Sequence, residues 1–271
     1  MSKRFYLDGK WKLKIGDKFS PSTPKEIIKK KWIHAEVPGT IHTDLLRNKL
    51  IEEPFYSNNE IKLSWIAESD WSYKTVFDLP FTKDDTAVKL NFEGLDTIAK
   101  IYLNGNHVGN SKNMFLKYGY DVAQYLKQKK NELEIFFESP INYSLREEIE
   151  HGKLQAALNS SRVYIRKAQY SFGWDWGPQL PPIGIWKDIR LEGYTAARLD
   201  QVHLRQRHED GKVTVEARVA VQRWSESPLG AEVRISAPSG AVLEGSSVVA
   251  ASGDTSVNVP IPHPQLWWPN G

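Results

Sequence analysis

Two indoles, one carboxylate and two glycines crowd into Ser171-Phe-Gly-Trp-Asp-Trp-Gly-Pro178, and Gly184-Ile-Trp-Lys-Asp-Ile-Arg-Leu191 follows closely. The first run has a loop composition that holds aromatic faces and one anion together. The second alternates apolar and polar residues like a strand returning to a sheet. Trp beside Asp suits a sugar: an indole stacks on the C–H face and a carboxylate accepts hydrogen bonds from hydroxyls. An architectural account is equally open, in which Trp174, Trp176 and Trp186 are core aromatics and Asp175 caps a turn. Arg162, Arg166 and Lys167 precede the run and either order its loop through hydrogen bonds or sit on a solvated strand face.

Other chemistries find little to work with. The seven histidines show no metal-ligand spacing, and His34 and His42 lack a third partner nearby, so neither a metal nor a cofactor is expected. There is no Gly-Xaa-Ser-Xaa-Gly elbow and no P-loop. Cysteine is absent, which removes disulfides and thiolate sites. A net charge of +3, carried by scattered lysines, leaves no footprint for nucleic acid. The opening Met1-Ser-Lys-Arg-Phe-Tyr-Leu-Asp-Gly9 lacks the apolar segment of a signal peptide, and no apolar run is long enough for a bilayer. A cytoplasmic location is the expectation.

The elements that must position these residues read as strand and turn. Trp71–Phe77, Ala87–Phe92, Thr97–Leu103 and Glu132–Phe137 alternate and are rich in β-formers. Asn104-Gly105 signals a tight hairpin into Asn106-His-Val-Gly109. Thr40 caps a short helix through Arg47, and Leu145 to Leu158 has amphipathic spacing for a second, weakened by Gly152. Many short strands between turns argue for an all-β protein that opens with a jelly-roll β-sandwich. Near residue 195 lysine gives way to Arg, Ala, Val and Ser. Strands then recur at Gln201–Arg205, Lys212–Val221, Ala231–Ile235 and Thr255–Ile261, the spacing of an immunoglobulin-like sandwich. Such a sandwich takes about 100 residues and about seven strands, so this one reads as incomplete, with Leu266, Trp267 and Trp268 near an unpaired edge.

A family pattern runs through the same residues. Arg166-Lys-Ala-Gln-Tyr-Ser-Phe-Gly-Trp-Asp-Trp-Gly-Pro178 through Gly184-Ile-Trp186 resembles the signature in the N-terminal domain of the β-mannosidases of glycoside hydrolase family 2. Val37-Pro-Gly-Thr-Ile-His-Thr-Asp-Leu-Leu46, Glu53-Pro-Phe-Tyr-Ser-Asn-Asn-Glu60, Gly94-Leu-Asp-Thr-Ile-Ala-Lys-Ile-Tyr-Leu-Asn-Gly105 and Asn113-Met-Phe115 agree in the same order. Pro264-Gln-Leu-Trp-Trp-Pro-Asn-Gly271 resembles a point late in that family's second domain. Leu180-Pro-Pro-Ile183 is the departure. The resemblance covers the whole chain. It implies a galactose-binding-like jelly roll over 1–195 and an immunoglobulin-like sandwich over 196–271, truncated at its C-terminal end.

It also implies a parent enzyme that hydrolyses terminal β-D-mannosyl residues with retention. That reaction needs two carboxyl groups about 5 Å apart, which the family carries as glutamates in a (β/α)8 barrel of roughly 250 residues. Nothing here alternates strand and helix in that way. No catalytic residue is therefore expected in the chain, which alone would be inactive and would pack on a C-terminal barrel. Asn59-Glu60 and Asn131-Glu132 mimic the family's Asn-Glu pair and read as decoys. By the resemblance, Asp175 binds hydroxyls of the terminal sugar of a β-mannoside or manno-oligosaccharide, as acceptor and positioner and not as proton donor. Trp174 and Trp176 flank it, while Trp186 packs in the sheet. Glu60 and Trp65 lie in matching motifs without an assigned role. Two alternatives stay open: a stand-alone carbohydrate-binding or interaction protein, or the same region of an exo-β-glucosaminidase.

Overall fold

The computed structural model describes residues 3–81 and 87–270. They form two compact units, 3–81 with 87–193, and 194–270. Among the described residues no helix is long and apolar enough to cross a membrane.

The first unit is a two-sheet sandwich. Its larger sheet orders Ile33–Val37, Gly9–Ile15, Trp71–Phe77, Asn131–Phe137, Ala99–Leu103 and Asn106–Ser111. The smaller orders Lys3–Tyr6, Ile189–Tyr194, Ala87–Phe92 and Tyr118–Asp121. Spatial neighbours are often far apart in sequence, with Gly9–Ile15 beside Trp71–Phe77 and Lys3–Tyr6 beside Ile189–Tyr194, the crossing connectivity of a jelly roll. Period-two alternation builds the core. Trp11, Leu13 and Ile15 point inward from one strand, and Leu133, Ile135 and Phe137 from another. Register aligns Ile135 with both Tyr73 and Ile101. Leu90, Phe92 and Leu191 from the smaller sheet join the same cluster, which closes the sandwich. Trp65 packs at a tilt against Trp71, ring centroids 6.0 Å apart, within this core, so Trp65 is a packing residue.

Short-range signals set the turns and helix starts. Asn104 and Gly105 both have positive φ and join Leu103 to Asn106, as a two-residue hairpin turn requires. Thr40 and Thr43 form a capping box that opens Ile41–Arg47. The second helix differs from its expected span, running Pro140–His151 rather than Leu145 to Leu158. The Ser139 side chain accepts the Asn142 N–H at 3.0 Å, Pro140 suits the first turn, and Gly152 ends the helix at φ 89°. The strand expected from Gly184 to Leu191 is two strands. Gly184–Ile185 pairs with Leu95–Asp96, whereas Ile189–Tyr194 pairs with Lys3–Tyr6, so the chain changes partner in between.

The second unit holds a three-stranded sheet, Ala197–Glu209, Lys212–Arg223 and Asp254–Ile261, and a ribbon of Gly230–Ser236 with Val242–Val248. Asp210 and Gly211, both at positive φ, turn Glu209 into Lys212. Ala217, Val257 and Val259 are buried, with Val233, Ile235 and Leu243 packed against them. Among the described residues strand Ala197–Glu209 pairs along one side only, and Leu266, Trp267 and Trp268 are exposed.

Candidate functional site

Residues 160–186 form the loop that carries the Trp-Asp-Trp run. After turns at Ser160–Tyr164 and Gln169–Ser171, the chain makes a small hairpin of Phe172–Trp174 with Gly177–Gln179. Phe172 pairs with Gln179 and Trp174 with Gly177, which leaves Asp175 and Trp176 alone at the tip. The sugar candidates thus stand at a projecting turn. Trp174 is 46% and Trp176 is 76% exposed, so neither is a core residue. Asp175 is exposed too, and no hydrogen bond or ion pair joins it to any described residue. Its carboxylate caps nothing and keeps its acceptor sites open. Trp186 is half-buried beneath Gly94, where a Cβ would meet its indole nitrogen at 2.5 Å.

The hairpin is anchored from below and from the side. Phe172 is buried with Ile98 and Ile165 in a small satellite core. Gly173 sits at φ 87°, where a Cβ would meet Gln179 Cγ at 2.5 Å, so this corner requires glycine. One face of Trp174 is covered by the Arg162 guanidinium at 5.7 Å from the ring centroid. Arg162 belongs to the turn Ser160–Tyr164 and is buried, while Arg166 is exposed and Lys167 is buried. Of the three, only Arg166 is solvated, and none lies within a strand.

Four other sequence motifs meet this loop. From Glu53–Glu60, the Glu60 carboxylate accepts the Gln179 N–H at 2.9 Å, and Asn59 donates to the Glu53 carbonyl at 2.9 Å. From Asn113–Phe115, Met114 N–H donates to the Arg166 carbonyl at 3.0 Å, and Ala168 N–H points at Met114 Sδ at 3.0 Å. From Val37–Leu46, Gly39 N–H and Ile41 N–H reach the carbonyls of Ile185 and Ile183 at 2.8 and 2.9 Å. From Gly94–Gly105, Asp96 receives the Lys167 ammonium. Glu60 was without a role in the sequence, and here it holds the hairpin's second strand. Replacing Glu60 by alanine is expected to remove about 1 kcal/mol of local hairpin stability, read as roughly fivefold faster amide exchange at Gln179. An unchanged exchange rate would detach Glu60 from that duty. Glu132, the other decoy position, faces Lys74 at 2.7 Å from within its strand.

Burial shifts several titratable groups of the same unit. Burial, aided by the Lys167 charge, pushes the His42 imidazole down to about 4. Burial pushes the Asp44 carboxyl up to about 6, against the pull of Glu36 N–H, Tyr73 and Arg47. Tyr73 donates its hydroxyl to Asp44 at 3.0 Å and is itself raised by burial. Burial also holds the Lys167 ammonium below the usual lysine value, although Asp96 opposes that shift. Among the described residues no group of three or more His, Cys, Asp or Glu is arranged to hold a metal ion. The arrangement offers an unengaged carboxylate between two indoles on a braced turn. It can accept hydroxyl hydrogen bonds and stack on one side of a ligand.

Known proteins carry the same pattern. A family model described as glycosyl hydrolase 2 galactose-binding domain-like matches residues 11–187. A β-mannosidase of Rattus norvegicus is 32% identical over 254 residues, 88% of this chain and 29% of the relative. A β-mannosidase B of Emericella nidulans is 34% identical over 243 residues, 87% of this chain and 28% of the relative. The crystal structure of the β-D-mannosidase of Dictyoglomus thermophilum superimposes with a TM-score of 0.85 at 34% identity, covering 99% of this chain and 32% of that one. The chain thus spans about three-tenths of the length of these relatives.

Proposed function

Since this chain belongs to the glycosyl hydrolase 2 galactose-binding domain-like family, we propose that it is the non-catalytic N-terminal region of a retaining β-mannosidase and supplies one wall of its sugar pocket. The observation that carries this reading is the open Asp175 carboxylate at the tip of a hairpin whose stems are held by residues of four other family-like motifs. Asp175 accepts hydroxyl hydrogen bonds from the terminal β-mannosyl residue, and Trp174 and Trp176 flank the ring. Both catalytic carboxyl groups come from a (β/α)8 barrel outside these residues.

Exposed apolar side chains support a partner on this side of the unit. Phe55, Tyr56 and Ile61 stand beside the Glu60 anchor at 75%, 72% and 71% exposure, and Tyr170 opens the hairpin at 70%. A group of large apolar residues this open marks an interface rather than a finished surface. In this reading the barrel covers it and completes the pocket.

A transplant tests the proposal. Residues 1–271 would replace the matching part of the Dictyoglomus thermophilum β-D-mannosidase. The chimera is expected to hydrolyse an aryl β-mannoside, and the 271-residue chain by itself to show no turnover. Hydrolysis by the purified chain alone, or a folded chimera without activity, would overturn it.

A further inference from the structure

Lys167 closes the neck of the hairpin loop. Its side chain is fully buried, and its ammonium donates to the Asp96 carboxylate and, at 2.7 Å, to the Pro182 carbonyl. Lys167 lies on the stem that enters the hairpin and Pro182 on the stem that leaves it. One side chain therefore ties both stems to each other and to Leu95–Asp96, whose strand partner is Gly184–Ile185.

The residue types explain why an ammonium is used. Pro181 and Pro182 have no backbone N–H, so this part of the outgoing stem can be held only through its carbonyls. A carbonyl needs a donor, and a lysine ammonium brings three in directions that its flexible stem can adjust. The carboxylate supplies the counter-charge that a buried cation requires, with its other oxygen taking the Thr97 hydroxyl. An apolar side chain of equal length would fill the space but would tie nothing.

We propose that Lys167 is a positioning residue for the sugar-contacting tip. Its charged clamp, rather than its bulk, holds the loop neck shut and so fixes where Asp175 and Trp174 stand. The functional half of this inference rests on Asp175 being a hydroxyl acceptor, whereas the clamp itself does not.

The experiment measures amide exchange in the 271-residue chain, residues 172–179 against the core strand Asn131–Phe137. Lys167→Met leaves Asp96 buried without its cation, so it is paired with the double variant Lys167→Met/Asp96→Asn, which removes both charges and keeps the volume. In the double variant the core strand is expected to exchange as in the parent, while residues 172–179 exchange about tenfold faster. A merely structural pair would return both regions to parent behaviour together. Because the chain has no cysteine, Lys167→Cys carries a single thiol. Aminoethylation of that thiol in the unfolded chain, followed by refolding, rebuilds a lysine-length ammonium, and carbamidomethylation gives a neutral adduct. Hairpin protection is expected to return with the first adduct and not with the second. Parent-like exchange at 172–179 in the double variant, or equal rescue by both adducts, would overturn the proposal. An Asp175 variant with full activity in the chimera would instead sink the sugar-acceptor reading and leave the clamp standing.

Discussion

Changing Asp175 to asparagine or alanine is expected to lower kcat/KM of the chimera for an aryl β-mannoside by roughly a hundredfold, with no change in thermal stability. A hydrogen bond to a charged acceptor is worth about 1.5–3 kcal/mol, and a hundredfold corresponds to about 2.7 kcal/mol. Loss of orientation in the pocket works in the same direction. Stability should not respond, because the side chain is exposed and engages no described residue, and such surface changes stay within about 0.5 kcal/mol. Asparagine keeps the shape and removes the charge, so it separates hydroxyl acceptance from packing. Activity within twofold of the parent for both variants would remove Asp175 from the pocket.

The second large effect concerns pH and two buried groups of the helix Ile41–Arg47. Asp44, raised to about 6, keeps its proton in the folded chain while the unfolded chain loses it near 4. Its contribution to stability is therefore greatest in acid and falls by about 3 kcal/mol as pH rises from 4 to 6. His42, lowered to about 4, stays neutral in the folded chain while the unfolded chain gains a proton below 6.5. Its contribution is full above pH 6.5 and falls by about 3 kcal/mol as pH drops to 4. The two slopes oppose each other and nearly cancel in the parent. Asp44→Asn is then expected to gain stability relative to the parent as pH rises from 4 to 6, because it removes the contribution that falls over this window and leaves the rising His42 contribution uncompensated. His42→Leu shows the opposite trend, gaining relative to the parent as the pH falls over the same window. Urea unfolding at half-unit pH steps measures both. Parallel pH profiles for parent and variants would mean that neither group is shifted by burial.

Not every local signal in the sequence pointed the right way. The roughly amphipathic spacing of Leu145 to Leu158 suggests a helix over that span. In the structure Leu145, Ile149, Leu154 and Leu158 are all exposed. The helix bounds come instead from Ser139, Pro140 and Gly152, because capping bonds and backbone geometry act within a few residues whatever covers the face. Likewise Gly184 to Leu191 alternates like one strand, yet its two halves pair with different strands, since pairing depends on which edges the rest of the sheet leaves open.

The sequence by itself determined the all-β class, the hairpin turns at Asn104-Gly105, the capped helix after Thr40, and the loop in which two indoles bracket a carboxylate. These depend on periodicity, capping and turn chemistry, all of which act over a few residues. Only the tertiary structure decided that Glu60 would hold Gln179 across 119 residues and that Lys167 would reach Asp96 across 71. It also decided that Asp175 would be left without a partner among the described residues. Contacts of that span form only once the sheets have closed on their shared core, and no local pattern in the chain encodes which distant carbonyl or carboxylate will then stand opposite a given donor.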